Sequence, residues 1–299
     1  VKVGFIGLGN IGNACSAHFA ESDFDFYIHD INKSAAENLI ALGAHWLDSC
    51  KAVAETCDVV FTSLPGPEQV ETVITGRNGI IEGAHDGLVV VDLSTISLTV
   101  AKEMYATCKA TGFSYLDCPV SGGIWAIKAK NLTLMPSGDI DAFEKAKPAM
   151  IVFGNKDVEF LGESGTGTLL KLINNQIFLV GGQVFQEGYI VAAKAGLDIK
   201  QFVKILRKSS GGIYAPLASM VTKRQWEDSS YDLALAEKDI RLTLETANDM
   251  GIDLPMTSGA YKNLAQAKAM GLGEKFFLGT MEAIEKNANF IAKAIDVDN

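Results

Sequence analysis

The chain has 299 residues, enough to bury a full-sized core in about two domains, which excludes a stapled miniprotein. Its 48% hydrophobic and 21% charged residues are the proportions of an ordinary globular protein and exclude a disordered chain. A net charge of -10 with no block of Lys and Arg excludes a binder of the nucleic-acid backbone, so the acidity is expected to serve solubility.

From residue 1 to about 163, short apolar runs alternate with amphipathic stretches. Residues 3–6, 24–28, 58–63, 88–92 and 113–116 have strand character, while 10–21, 33–42, 49–57 and 97–110 have helical spacing. Gly43 and Gly112 follow two of these helices as C-terminal stops. This alternation predicts a parallel sheet with helices on both faces. After the glycine cluster at 162–167 the strand signal disappears, and residues 168–195 form one long, largely apolar helix ending near Gly196. Further helical segments fill the rest. The expected architecture is α/β: a doubly wound, mostly parallel sheet over 1–163, then an all-helical C-terminal domain over 164–299, joined by a long interdomain helix. There is no internal repeat.

No apolar run reaches the roughly 18 residues that a membrane span needs, because 169–185 is interrupted by Asn174, Asn175, Gln176, Gly181, Gly182 and Gln183. Cys15, Cys50, Cys57, Cys108 and Cys118 are odd in number, scattered and without a C-x-x-C pair, so free thiols in a reducing compartment are expected and a zinc cluster is not. The opening VKVGFIGL runs into a glycine turn with no basic region and apolar leader ahead of it, and the expected location is cytoplasmic.

Gly7-Leu8-Gly9-Asn10-Ile11-Gly12 is a G-x-G-x-x-G between the first strand and the first helix. Gly7 permits a tight turn, Gly9 lets backbone approach a pyrophosphate, Gly12 lets helix and strand pack closely, and the helix N-terminus favours the phosphate charge. Asp30 at the end of the second strand is placed to accept bonds from a ribose 2′-hydroxyl. The sheet is therefore expected to be of the Rossmann type, carrying a dinucleotide. A carboxylate at 30 repels a 2′-phosphate, and Ile31 and Asn32 supply no Arg, so NAD is expected, with NADP as the alternative. The competing role for Asp30 is to cap the helix beginning near Lys33.

A dehydrogenase needs a base near the nicotinamide. The four histidines, His18, His29, His45 and His85, all fall in the first domain without an evident acidic partner, and no metal-ligand spacing is present. The sequence 117–123, DCPVSGG, is a strand end followed by a polar turn whose glycines expose amides suited to a carboxylate. Lys171 and Asn175 stand at i,i+4 on one face of the long helix. A lysine buried in a cleft has a lowered pKa and can act as an acid/base; one whose ammonium reaches water does not, and spacing alone leaves both readings open.

Six blocks in order, GFIGLGNIG (4–12), TSLPGPEQV (62–70), DLSTIS (92–97), DCPVSGG (117–123), GTGTLLKLINNQ (165–176) and EKDIRLTLE (237–245), resemble the β-hydroxyacid dehydrogenases, which include 3-hydroxyisobutyrate dehydrogenase, tartronate semialdehyde reductase and the glyoxylate/succinic semialdehyde reductases. The resemblance covers essentially the whole chain. It implies that Lys171 is the catalytic lysine, that Asn175 orients substrate, and that Ser121, Gly122 and Gly123 hold its carboxylate and hydroxyl. It also implies that Leu64, Pro65 and Thr95 contact the nucleotide, and that Lys238, with Asp239 beside it, reaches the cofactor from the helical domain.

The same resemblance implies a homodimer or homotetramer acting on a small hydroxy acid or aldehyde acid. The chain departs from the family at 124–130, where Ile124-Trp125-Ala126-Ile127-Lys128-Ala129-Lys130 replaces small residues; Trp125 either shapes the substrate pocket or packs on the surface. The expected activity is NAD(H)-dependent hydride transfer at the alcohol carbon of a 3-hydroxyisobutyrate-like β-hydroxy acid or its semialdehyde. The rivals are an NADPH-dependent reductase of glyoxylate, succinic semialdehyde or a related aldehyde acid, and a catalytically silent nucleotide-binding scaffold, which would be expected to lack Lys171.

Overall fold

The computed structural model describes residues 1–227 and 231–298. The chain divides into two compact units, Val1–Leu172 and Ile173–Asn299. In the first, strands β1 (Lys2–Ile6), β2 (Asp25–His29), β3 (His45–Trp46), β4 (Val59–Thr62), β5 (Val89–Asp92) and β6 (Ser114–Asp117) form one sheet in the order β3-β2-β1-β4-β5-β6. Every pairing is parallel. This is the doubly wound order whose direction reverses between β1 and β4, the place where such sheets leave a crevice at the strands' carboxyl ends.

The central strands are buried along their whole length, as β-branched runs are when helices cover both faces. Alternation still decides which core each side chain joins. Phe5, Phe61 and Val91 pack on one face, whereas Ile6, Val60 and Val90 pack on the other.

Helices α1 (Asn10–Ala17), α2 (Glu37–Ala41), α3 (Cys50–Thr56), α4 (Pro67–Thr75) and α5 (Leu98–Thr111) supply the covering layers. Ser97 accepts from the Val100 amide to cap α5, and Gly112 closes it in the left-handed region at φ 92°. Two expected helices are shorter than their periodicity: α1 passes into a 3-10 turn at His18–Glu21, and the stretch from Lys33 is a 3-10 turn as far as Ala36. A two-stranded antiparallel hairpin of β7 (Val120–Ser121) and β8 (Thr133–Leu134) follows β6 and encloses α6 (Gly123–Lys128). Helix α7 (Ile140–Met150) closes the sheet's covering.

Helix α8 (Thr166–Lys194) begins in the first unit and runs on into the second. It is followed by α9 (Ile199–Leu206), α10 (Ala218–Lys223), α11 (Leu233–Asp249), α12 (Pro255–Ala267) and α13 (Thr280–Ala288), and the described residues of this unit contain no strand. Its core gathers Leu179, Tyr189, Ile240, Leu264, Phe277 and Met281. None of the described helices is long and apolar enough to cross a membrane.

All five cysteines are unbridged, and only Cys50 is not fully buried. Burial pushes each thiol up: Cys50 to about 11 and Cys57 and Cys108 to about 12, with Cys15 and Cys118 also raised well above the ordinary thiol value.

Candidate active site

The three glycines after β1 occupy three different environments. Gly7 has φ 88°, and a Cβ there would lie 2.3 Å from the carbonyl oxygen of Ser63 at the end of β4. Gly12 faces the same turn from the helix side, where a Cβ would lie 2.0 Å from the Gly7 oxygen. At Gly9 a Cβ would meet nothing within 4 Å, so the backbone is open where a pyrophosphate approaches. No side chain caps α1 at Gly9, which leaves its N-terminus suited to phosphate. The cradle fits a dinucleotide.

Asp30 follows directly on β2 and reaches back to this turn. One carboxylate oxygen accepts the Leu8 amide at 2.6 Å and the other accepts the Asn32 amide at 2.7 Å. Each oxygen keeps a second lone pair for an outside donor. The cap of the following 3-10 turn is Asn32, not Asp30. Lys33 lies with its ammonium 5.3 Å from the Trp46 ring centre, and Ile31 is fully exposed beside it.

Across the sheet's reversal, β4 and β5 bring Leu64, Pro65 and Thr95 to the same carboxyl edge. Leu64 donates its amide to the Ser94 hydroxyl at 2.9 Å. Asp92 stands beneath, 1% exposed, accepting the Thr62 hydroxyl at 2.8 Å, the Ser94 amide at 3.1 Å and the Tyr115 hydroxyl at 2.9 Å. Burial raises its pKa above the ordinary carboxylate value against these donors.

Ser121 ends β7, and the chain then turns through Gly122 and Gly123 at φ 128° and 61°. Both glycines are exposed, and no Cβ contact restricts Gly123. The residues after them fold into α6, on which Trp125 is 86% exposed, an unusual state for so large an aromatic group. Lys171 is half-buried in the second turn of α8.

In the second unit, Asn175 is buried and donates its amide to Asp239 at 2.7 Å. Tyr231 donates its hydroxyl to the same carboxylate oxygen at 2.8 Å. The Lys238 ammonium lies 3.1 Å from the other oxygen, a charge contact without hydrogen-bond alignment.

The histidine side chains are engaged elsewhere than with a carboxylate: His18 faces the Ile127 carbonyl, His29 that of Leu47, His85 those of Asp86 and Cys57, and His45 lies against the Tyr27 ring. The described residues hold no group of three His, Cys, Asp or Glu side chains that could bind a metal. Sequence reasoning passed over Asp117 and Tyr231. The aspartate was legible as part of DCPVSGG, but its partners lie far along the chain; Tyr231 stands outside every recognised block.

Residues 2–162 match the family model described as the NAD binding domain of 6-phosphogluconate dehydrogenase, and residues 165–281 match that of the NAD-binding region of NADP-dependent 3-hydroxyisobutyrate dehydrogenase. The 2-(hydroxymethyl)glutarate dehydrogenase of Eubacterium barkeri is 32% identical over 92% of this chain and 92% of its own. A chloroplastic glyoxylate/succinic semialdehyde reductase of Arabidopsis thaliana is 31% identical over 95% of this chain and 80% of its own. The solved Mycobacterium tuberculosis 3-hydroxyisobutyrate dehydrogenase with L-serine superposes with a TM-score of 0.86 at 25% identity, covering 95% of this chain and 98% of that one. With both halves matched and the dinucleotide cradle in place, the chain belongs to the β-hydroxyacid dehydrogenase family of NAD(P)-dependent oxidoreductases.

Proposed function

We propose that the protein interconverts a small, 3-hydroxyisobutyrate-like β-hydroxy acid and its semialdehyde with NAD(H), and that Lys171 moves the proton. The observation that carries this reading is that one unit holds both the three-glycine cradle and a half-buried lysine, on a helix whose first turn is hydrogen-bonded to Asp117 at the end of β6, four positions before Ser121. The cofactor, when bound, accepts or supplies the hydride at its nicotinamide ring. The chain's own residues do the rest.

Residues 1–163 carry the dinucleotide: Gly7, Leu8, Gly9, Asn10, Ile11 and Gly12 receive the pyrophosphate, Asp30 the ribose, and Leu64, Pro65 and Thr95 the remainder. The Ser121 hydroxyl and the amides of Gly122 and Gly123 hold the substrate's carboxylate. Lys171 gives a proton to the carbonyl oxygen in reduction and removes it from the hydroxyl in oxidation. Asn175, one turn further along the same helix, orients that oxygen, and Trp125 bounds the space for the substrate's tail. The resemblance gives Lys238 to the cofactor.

Residues 164–299 serve substrate selection and pairing into a homodimer or homotetramer. Ile177, Val184 and Val191, all more than 60% exposed and spaced by seven along α8, support the pairing. A cytoplasmic location fits the five unbridged thiols.

The test is a turnover screen of small hydroxy acids and semialdehydes with both cofactors, paired with Lys171→Met. The substitution keeps side-chain length and helix propensity, so the turnover number should fall roughly 10²–10⁴-fold while NADH affinity is retained. Near-normal turnover in a folded variant would remove the acid/base role. Equal loss of NADH binding would make the lysine structural, and a clear preference for NADPH with short aldehyde acids would favour the reductase reading.

A further inference from the structure

Asp117 ends β6, four positions before Ser121, and is 1% exposed. One carboxylate oxygen accepts the Gly165 amide at 2.8 Å and the Ser164 hydroxyl at 3.2 Å. The other accepts both the amide and the hydroxyl of Thr168 at 2.9 Å. Two of these donors are backbone amides at the start of α8, where N–H groups lack partners within the helix and the dipole favours a negative charge.

The main chain completes the joint. The Asp117 carbonyl accepts the Ser137 amide at 2.9 Å, and the Ser137 hydroxyl accepts the Gly167 amide at 2.9 Å. A Cβ on Gly167 would lie 1.9 Å from the Met135 carbonyl oxygen and 3.1 Å from that of Asp117, so the helix begins in backbone contact with these segments. Lys171 comes three positions after Thr168, the spacing that puts two residues on one helix face.

We propose that Asp117 is a positioning residue for the proton step: by fastening the first turn of α8 to the end of β6, it sets where Lys171 stands relative to the Ser121-Gly122-Gly123 loop. The inference rests on the acid/base reading of Lys171. The chemistry of the joint calls for a carboxylate, because four donors converge on an acceptor that has none of its own. An amide would set an N–H2 group against either the Gly165 or the Thr168 backbone N–H. The hydroxyls of Ser164 and Thr168 can rotate to accept, but the backbone amides cannot.

Asp117→Asn and Thr168→Val, with Thr168→Ser as the conservative control, test this in the full-length protein. A displacement of about 1 Å from the reactive geometry can cost about 10²-fold, so kcat in Asp117→Asn should fall on the order of 10–100-fold, with the NADH dissociation constant within about twofold of wild type. Thr168→Val should lose about 3–10-fold in kcat, and Thr168→Ser should recover most of it.

A purely structural role would lower the melting temperature of these variants but leave kcat of the folded fraction unchanged. That result in Asp117→Asn, or in Thr168→Val should the first variant not fold, overturns the inference. Lys171→Met measured in parallel separates the two levels: if it keeps turnover, the acid/base reading itself falls, and if it loses turnover while Asp117→Asn does not, only the positioning role falls.

Discussion

The side-chain amide of Asn175 and the hydroxyl of Tyr231 donate to one and the same oxygen of Asp239, at 2.7 and 2.8 Å. Because a carboxylate only accepts, the Asn175 N–H2 is fixed toward Asp239 and its carbonyl oxygen toward the opposite side, where Asn174 donates at 3.1 Å. Asp239→Ala should therefore free the Asn175 amide to flip and lower kcat/KM about 10-fold or more. Tyr231→Phe removes one donor but leaves the Asn175 bond, and should cost about threefold or less. Steady-state kinetics on both variants checks the order; equal losses would show that Tyr231 acts on substrate directly.

Cofactor preference follows from Asp30. Its carboxylate repels a 2′-phosphate while each oxygen retains a lone pair for a ribose hydroxyl, so catalytic efficiency with NADH should exceed that with NADPH by about tenfold or more. Ile31→Arg, which leaves the Leu8 contact of Asp30 untouched, should narrow the ratio by raising NADPH efficiency. Efficiency measured with both cofactors on one substrate decides the matter, and a wild-type preference for NADPH would contradict it.

Trp125, two positions after Gly123 on α6, is almost entirely exposed. Trp125→Ala keeps the helix propensity of α6 and should change stability little, since exposed substitutions away from caps and cores usually fall within about 0.5 kcal/mol. Its expected effect is on relative activities: longer acids should gain on shorter ones. A uniform profile across a size series would assign Trp125 to surface packing instead.

Asp92 gives a pH prediction. Its folded-state pKa is raised by burial, so the folded state holds its proton more tightly than the unfolded state does. The stability from the protonated form is full below the ordinary carboxylate value of about 4 and is lost as pH rises from there through the raised folded value. Asp92→Asn mimics the neutral form and lacks that loss. Melting temperatures of the two proteins should lie closest at low pH and diverge in favour of Asp92→Asn as pH rises; a gap that narrows with pH would reverse the sign of the argument.

The parts of the fold that could be read in the sequence are those with long patterns. The central strands announce themselves as β-branched runs, α5 by Ser97 and Gly112 at its ends, and α8 by nearly eight turns without Pro. Other elements are too short to carry a period: β3, β7 and β8 span two residues each and exist only through their partners. Helix α4 is hidden by its own opening, since Gly66-Pro67 looks like a turn although Pro favours the first helical position. The 3-10 turns at 18–21 and 33–36 keep helical spacing of side chains while tightening the backbone, so periodicity overruns α1 and α2.

The candidate site shows the same division. The glycine turn and Asp30 are local, within one strand–helix–strand passage, and their geometry follows from the motif. The Asp117 joint is not local: its acceptor and its Thr168 donor lie 51 positions apart, and no spacing rule links a strand end to a helix start at that distance. Asp239 is recognisable beside Lys238, yet its hold on Asn175 spans 64 positions.

The state of the thiols makes this protein convenient for site-directed labelling. A thiol whose pKa stands near 11 is ionised at neutral pH in roughly one molecule in ten thousand, against a few per cent for an ordinary exposed cysteine, and alkylating reagents attack the thiolate. The other four are shielded by burial as well. A single cysteine introduced on the exposed face of α6 should therefore outpace all five native ones in reaction with maleimide, and a fluorophore attached there would report on the neighbouring Ser121-Gly122-Gly123 turn without prior removal of any native thiol.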